Sequence, residues 1–229
     1  MKTVLCIGDS ITREVGSSDP RKLSYCAKLQ TLLGFSWNVI NAGENGATLM
    51  PAPNGENSRY FDRPSWTLAQ EAAKRAASQN DELIVCVMLG TNDADTLDYG
   101  FIGTGEDFRL RYENAFLSDY LFLIRTLRAL CPAAKFVLCK SPYSYDSHKH
   151  PNNGNLPSVW LWQECAAETC KKDGIPVILL DMAQATCPKE IGGETGISLL
   201  YHDRLHPNDS GHLYFARCFA TAIRKAERL

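Results

Sequence analysis

Four short clusters in this chain carry side chains suited to acyl chemistry. The first is Gly8-Asp9-Ser10, directly after the apolar, β-branched run Thr3–Ile7. Such a run reads as a buried strand, and the glycine breaks it, so a serine hydroxyl lies just past the strand's carboxyl end. Ligands of open α/β sheets bind at that edge. Ser10 is therefore a candidate nucleophile, with Asp9 expected to shape the turn that presents it. The second cluster, Asp203-Arg204-Leu205-His206-Pro207, could supply the base. An Asp three residues before a His on a turn can accept the Nδ1 proton and leave Nε2 facing a hydroxyl. The same residues are also ordinary at the start of a helix. The third is Asn41-Ala42-Gly43, where a glycine allows a backbone N–H to approach a ligand. The fourth is Gly90-Thr91-Asn92-Asp93, where an Asn amide could donate to a developing oxyanion. The last two could equally be plain turns.

These residues need elements to bring them together. Strand-like runs occur at Thr3–Ile7, Asn38–Ile40, Leu83–Leu89, Lys135–Cys139 and Pro176–Leu180. Helical patterns separate and follow them at Leu23–Leu33, Trp66–Ala77, Phe108–Leu130, Pro157–Lys172 and Asp209–Leu229. Alternation of this kind predicts a parallel sheet with right-handed crossovers. The third run is apolar throughout and is expected at the centre. Helix-to-strand connections are short, whereas the strand-to-helix segments Asn41–Ser65, Gly90–Asp107, Lys140–Leu156 and Asp181–Pro207 are long. Long connections gathered on one edge point to a substrate pocket there. Ser10, Gly43, Asn92 and the Asp203/His206 pair follow the first, second, third and fifth runs, so all fall on that edge.

The whole chain narrows the function classes. Its 229 residues suit one domain, spanning 1–229, and show no linker or repeat. A formal net charge of -2 gives no electrostatic case for a nucleic-acid or membrane-surface partner. No stretch is long enough to span a bilayer. Nine cysteines without a C-x-x-C pair read as buried free thiols in a reducing compartment. The first apolar run is too short for a signal peptide, so a cytoplasmic setting is expected, an exported form with its leader removed being the alternative. The only glycosylation-type sequon, Asn208-Asp209-Ser210, lies two residues after His206, where a glycan would block the site. His202 beside Asp203 and His206 is compatible with a metal, but serine chemistry already accounts for the last two, and no metal or other cofactor is expected. His148 and His150 read as solvated loop residues.

In this order, the four clusters resemble the blocks of the SGNH hydrolases, the GDSL-type esterases and lipases. Gly8-Asp9-Ser10-Ile11-Thr12 is similar to the first block, with Ile in place of Leu. Gly43 in NAG, Asn92 in GTND, and Asp203 with His206 in D-x-x-H-P are similar to the other three. The resemblance spans nearly the whole chain. It implies a flavodoxin-like three-layer α/β/α sandwich around a five-stranded parallel sheet. It also implies Ser10 as nucleophile, His206 as base and Asp203 as its orienter. The implied oxyanion hole is the Ser10 and Gly43 N–H groups with the Asn92 side chain.

The expected reaction is ester hydrolysis through an acyl-enzyme. The long loops are polar, with the aromatics Tyr60, Phe61, Tyr99, Phe101, Tyr143 and Tyr145 scattered among them. No continuous apolar lining offers a seat for a long acyl chain. Aromatics among polar groups suit a sugar. The favoured substrate is thus a small molecule or oligosaccharide carrying a short acyl ester, acetyl above all. The alternatives are a thioesterase or lysophospholipase acting on longer chains and, in a different class, a non-catalytic carbohydrate-binding module on the same fold. Oligomeric state stays open.

Overall fold

The computed structural model describes residues 1–51, 58–96, 108–145 and 155–229. Its centre is a parallel five-stranded sheet of β1 (Lys2–Gly8), β2 (Trp37–Gly43), β5 (Glu82–Met88), β6 (Lys135–Lys140) and β7 (Val177–Asp181). The order is β2-β1-β5-β6-β7. Counted by sheet strand, that is the 2-1-3-4-5 order of flavodoxin-like folds, whose direction reverses between the first and third strands. Ser10 follows one of those two strands and Asn92 the other, so they flank the crevice that this reversal opens. The short parallel pair β3 (Ala47–Thr48) and β4 (Ser58–Arg59) forms a separate ribbon above the edge.

Each sheet strand is apolar on both faces because helices cover both. Along β1, Leu5 and Ile7 face one core, and Val4 and Cys6 face the other. In β5, Leu83, Val85 and Val87 alternate with Ile84, Cys86 and Met88 in the same way. This is the period-two geometry of a strand, and it explains runs that look uninterrupted in sequence. The first core is closed by α3 (Pro64–Gln79), α5 (Phe108–Leu130) and α6 (Leu156–Lys172), and the second by α2 (Tyr25–Leu33) and α10 (Asp209–Ala226). From α10, Phe215, Phe219 and Ile223 are fully buried. Each such side chain contributes roughly 1.5–3 kcal/mol of transfer free energy.

Several boundaries differ from those expected. The first helix is split into α1 (Pro20–Leu23) and α2, because Ser24 caps α2 by accepting the Ala27 N–H. β2 runs on to Gly43, carried by pairing with β1 through Gly8 rather than by its own hydrophobicity. The segment Asp181–Pro207, expected as a loop, contains α7 (Met182–Ala185), α8 (Pro188–Ile191) and α9 (Gly193–Leu200). One short helix, α4 (Asp93–Thr96), starts at the Asn92 cluster. Among the described residues, no helix is long and apolar enough to cross a membrane.

Candidate active site

The nucleophile turn is built by Asp9. Its Oδ1 accepts the Ile11 N–H at 3.0 Å, and its backbone carbonyl accepts the Arg13 N–H at 2.8 Å. Asp9 is itself buried. Its carboxylate belongs to the turn that follows β1 and carries Ser10. The Ser10 hydroxyl is half-buried, and its Oγ lies 2.8 Å from His206 Nε2.

The base loop is equally specific. His206 Nδ1 lies 2.7 Å from Asp203 Oδ2, while Asp203 Oδ1 accepts the backbone N–H groups of Leu205 and His206 at 3.1 and 2.7 Å. One carboxylate thus sets both the course of the loop and the orientation of the ring. Partial burial pushes the Asp203 carboxyl up, but the His206 N–H, ring and charge and the Leu205 N–H outweigh it. The net result lies below the ordinary carboxylate range, which keeps Asp203 charged beside the imidazole. Arg204 takes a left-handed backbone conformation, φ 69°, which few non-glycine residues adopt. It is over-determined by its neighbours: Tyr145 N–H donates to the Arg204 carbonyl at 2.9 Å, and Arg204 Nε donates to the Tyr145 carbonyl at 3.2 Å. Asn208 closes the loop by capping α10, its Oδ1 accepting from Ser210 and Gly211. The nitrogen of the same amide, the atom a glycan would need, donates to the Leu199 and Tyr201 carbonyls.

Asn92 is buried, and its Nδ2 donates to the Ala47 carbonyl at 3.0 Å. That bond ties the end of β5 to the turn after β2. The expectation for Gly43 is corrected here. The Gly43 N–H is occupied, donating to Asn41 Oδ1 at 2.9 Å. Gly43 is a glycine for a different reason. A Cβ there would lie 2.5 Å from the Arg13 nitrogen and 2.6 Å from the Thr12 carbonyl carbon, so the nucleophile turn could not pack against β2. A second glycine of the same loop, Gly46, has no partner for its N–H among the described residues. It is half-exposed, has φ +66°, and precedes the Ala47 whose carbonyl holds Asn92. Its signal was available as a second glycine in the same loop.

A second buried carboxylate stands behind this turn. Asp93 Oδ1 accepts the N–H groups of Leu49 and Met50 at 2.9 and 2.8 Å. Complete burial raises its carboxyl to about 7, against the pull of those two N–H bonds, and the charges of Asp9 and Asp119 add to the rise. The folded state therefore holds a proton that the unfolded chain releases above the ordinary value of 3.8. Stability should fall as pH rises from about 4 to 7, by at most about 4 kcal/mol. On the opposite face, burial lowers His212 to about 4, although the Val15 carbonyl and the Asp209 charge favour its protonated form. The sign is reversed there: that contribution is complete above about 6.5 and is lost as pH falls towards 4. Replacing Asp93 by Asn should isolate the first effect. The Tm difference, variant minus parent, should grow more positive from pH 4 to 7, and a flat difference would remove the assignment.

Of the six residues singled out, the structure brings Ser10, His206 and Asp203 into one hydrogen-bonded chain, with Asp9 beneath. Asn92 lies against the adjacent turn. Of the aromatics, Tyr60 and Tyr145 are buried, Phe61 and Tyr143 are half-buried, and Tyr99 and Phe101 lie outside the described residues, as do His148 and His150. His202 is exposed, and its N–H donates to the His206 carbonyl. Among the described residues, no group of three or more His, Cys, Asp or Glu could hold a metal ion.

The pattern of the GDSL-like lipase/acylhydrolase family matches residues 6–213. An acetylxylan esterase of Xylanibacter ruminicola is 24% identical over 96% of this chain. The chain spans 43% of the length of that relative. Among solved structures, an acetyl xylan esterase, AlAXEase, superposes with a TM-score of 0.64 at 20% identity, covering 96% of this chain and 99% of that one. A family two carbohydrate esterase from Clostridium thermocellum, in complex with cellohexaose, gives 0.65 at 21% identity, covering 98% and 64%. The aryl esterase of M. smegmatis gives 0.61 at 18%, covering 99% and 100%. These likenesses establish the shared fold.

Proposed function

We propose that this chain, which belongs to the GDSL-like lipase/acylhydrolase family, is a carboxylic ester hydrolase that removes short acyl groups, acetyl above all, from a carbohydrate. The observation that carries the chemistry is the Ser10–His206–Asp203 chain, with its two contacts of 2.8 and 2.7 Å. His206 Nε2 takes the Ser10 proton as Oγ attacks the acyl carbonyl. The oxyanion is met by Asn92 Nδ2 and by backbone N–H groups of Ser10 and Gly46. The proton then passes from His206 to the departing sugar oxygen, leaving an acyl-serine. A water that gives its proton to His206 attacks in turn and releases the acid. Asp203 stays charged throughout and balances the imidazolium formed twice in each cycle.

The acyl preference has separate support. Among the loop aromatics, Tyr60 is consumed by packing, its hydroxyl donating to the Ala42 carbonyl. The relatives that share the fold include proteins named for acetylxylan and carbohydrate esters. A p-nitrophenyl ester series from acetyl to dodecanoyl, with an acetylated xylo-oligosaccharide alongside, tests this. The expected result is kcat/KM falling at least about ten-fold by octanoyl, together with acetate release from the oligosaccharide. Rates that rise with chain length would favour a lipase-like enzyme instead.

A further inference from the structure

An aromatic row leads away from the base loop. Tyr201, Tyr145, Tyr143 and Trp160 follow one another with ring centroids 5.3, 5.0 and 6.0 Å apart. The row is attached to the catalytic loop by the two reciprocal hydrogen bonds between Tyr145 and Arg204, the residue after Asp203. Tyr201 and Tyr145 are each only 5% exposed and serve as packing. Tyr143 and Trp160 are half-buried, and they wall a cleft of about 210 Å³ completed by Lys140, Asp181, Ala183, Gln184 and Cys187. Lys140 and Asp181 end β6 and β7, so the cleft opens on the same sheet edge as the triad. Tyr143 lies two residues from Tyr145, about 7 Å of extended chain from the clasp.

The composition of this cleft selects its ligand. Two aromatic side chains offer apolar surface, and a carboxylate, an amide and an ammonium offer hydrogen bonds beside it. Lys140 would attract an anion if it stood alone. Its Nζ instead contacts Glu164 and Asp181 carboxylates at 2.7 and 2.9 Å, so two negative charges more than offset its one positive charge. Neither a phosphate nor a carboxylate gains net attraction there. An alkyl chain would strip water from these polar groups without replacing their hydrogen bonds, which is unfavourable. A neutral ring with one apolar face and a rim of hydroxyls meets both requirements.

We propose that the Tyr143–Trp160 cleft is a leaving-group subsite that binds a neutral sugar unit of an oligosaccharide, beside the unit that carries the ester. The proposal rests on the carbohydrate-ester reading above. The test compares Tyr143→Ala and Gln184→Ala with the parent on an acetylated xylo-oligosaccharide and on p-nitrophenyl acetate. The hydrogen bonds with Thr186 and Tyr201 use the Tyr143 backbone N–H and carbonyl, so the variant Tyr143→Ala keeps those two. The oligosaccharide-to-aryl-acetate ratio of kcat/KM should fall about ten-fold in Tyr143→Ala, mainly through KM. An equal loss on both substrates, or no change in the ratio, would overturn the subsite. A second arm titrates unacetylated xylo-oligosaccharide by NMR. Binding by the parent that Tyr143→Ala loses supports the subsite even if the parent releases no acetate from the oligosaccharide, in which case only the acetyl-ester reading fails. No binding by the parent overturns the subsite.

Discussion

Ser10→Ala should lower kcat on p-nitrophenyl acetate by about 10⁵-fold or more, with the fold retained. The side chain is half-buried, and its hydroxyl meets His206 Nε2. The turn beneath it is held by the Asp9 carboxylate and by backbone bonds, none of which uses Oγ. Removing Oγ therefore deletes the attacking atom and leaves its platform. His206→Ala should cost about as much, since a hydroxyl without its base is a poor nucleophile at neutral pH. The double variant should then be no slower than either single one, because the two residues act as a unit. Residual turnover would come from the oxyanion donors acting on water. Purified variants, assayed beside their circular dichroism spectra, decide the matter. A Ser10→Ala enzyme within ten-fold of the parent would end the acyl-enzyme mechanism.

Asn92→Ala should lower kcat by about 10²–10³ with little change in KM. A donor aimed at the oxyanion acts where charge develops in the transition state and does little for the bound ester. The same side chain also has a structural task, since its Nδ2 holds the buried Ala47 carbonyl. Leaving that carbonyl without its donor should cost about 1–3 kcal/mol, so Tm should fall as well. The two tasks separate in the kinetics. A purely structural Asn92 would give a lower Tm with kcat restored on cooling. Retained kcat with a raised KM would place Asn92 in substrate binding instead.

The parts of the site that were legible in the sequence are those set by neighbours along the chain. Asp9 and Ser10 lie within the few residues after a strand, and a short carboxylate closing a tight turn is a local matter. Asp203 and His206 are likewise three residues apart, and their contact needs only the turn between them. The helix Phe108–Leu130 has the same bounds in sequence and structure, with Pro132 just beyond its end. The choice between Gly43 and Gly46 was not legible. Both are glycines in one loop, and what separates them is the Asn41 amide that occupies one N–H and the Arg13 backbone that crowds its Cα. The role of Asp93 was hidden for the same reason, because its partners, Leu49 and Met50, come from another connection.

Alternating hydrophobicity and turn chemistry alone determined an α/β chain with Ser10, Asn92 and the Asp203/His206 pair on one sheet edge. Those signals are short-range, and each strand or turn carries its own. Only the tertiary structure decided that Ser10 and His206, 196 residues apart, stand 2.8 Å from one another. It likewise assigned the tight packing of β2 on the nucleophile turn to Gly43, and joined Tyr145 to the catalytic loop. These depend on which backbone N–H meets which acceptor once two connections are pressed together, a choice made by packing across the sheet edge and not by either segment alone.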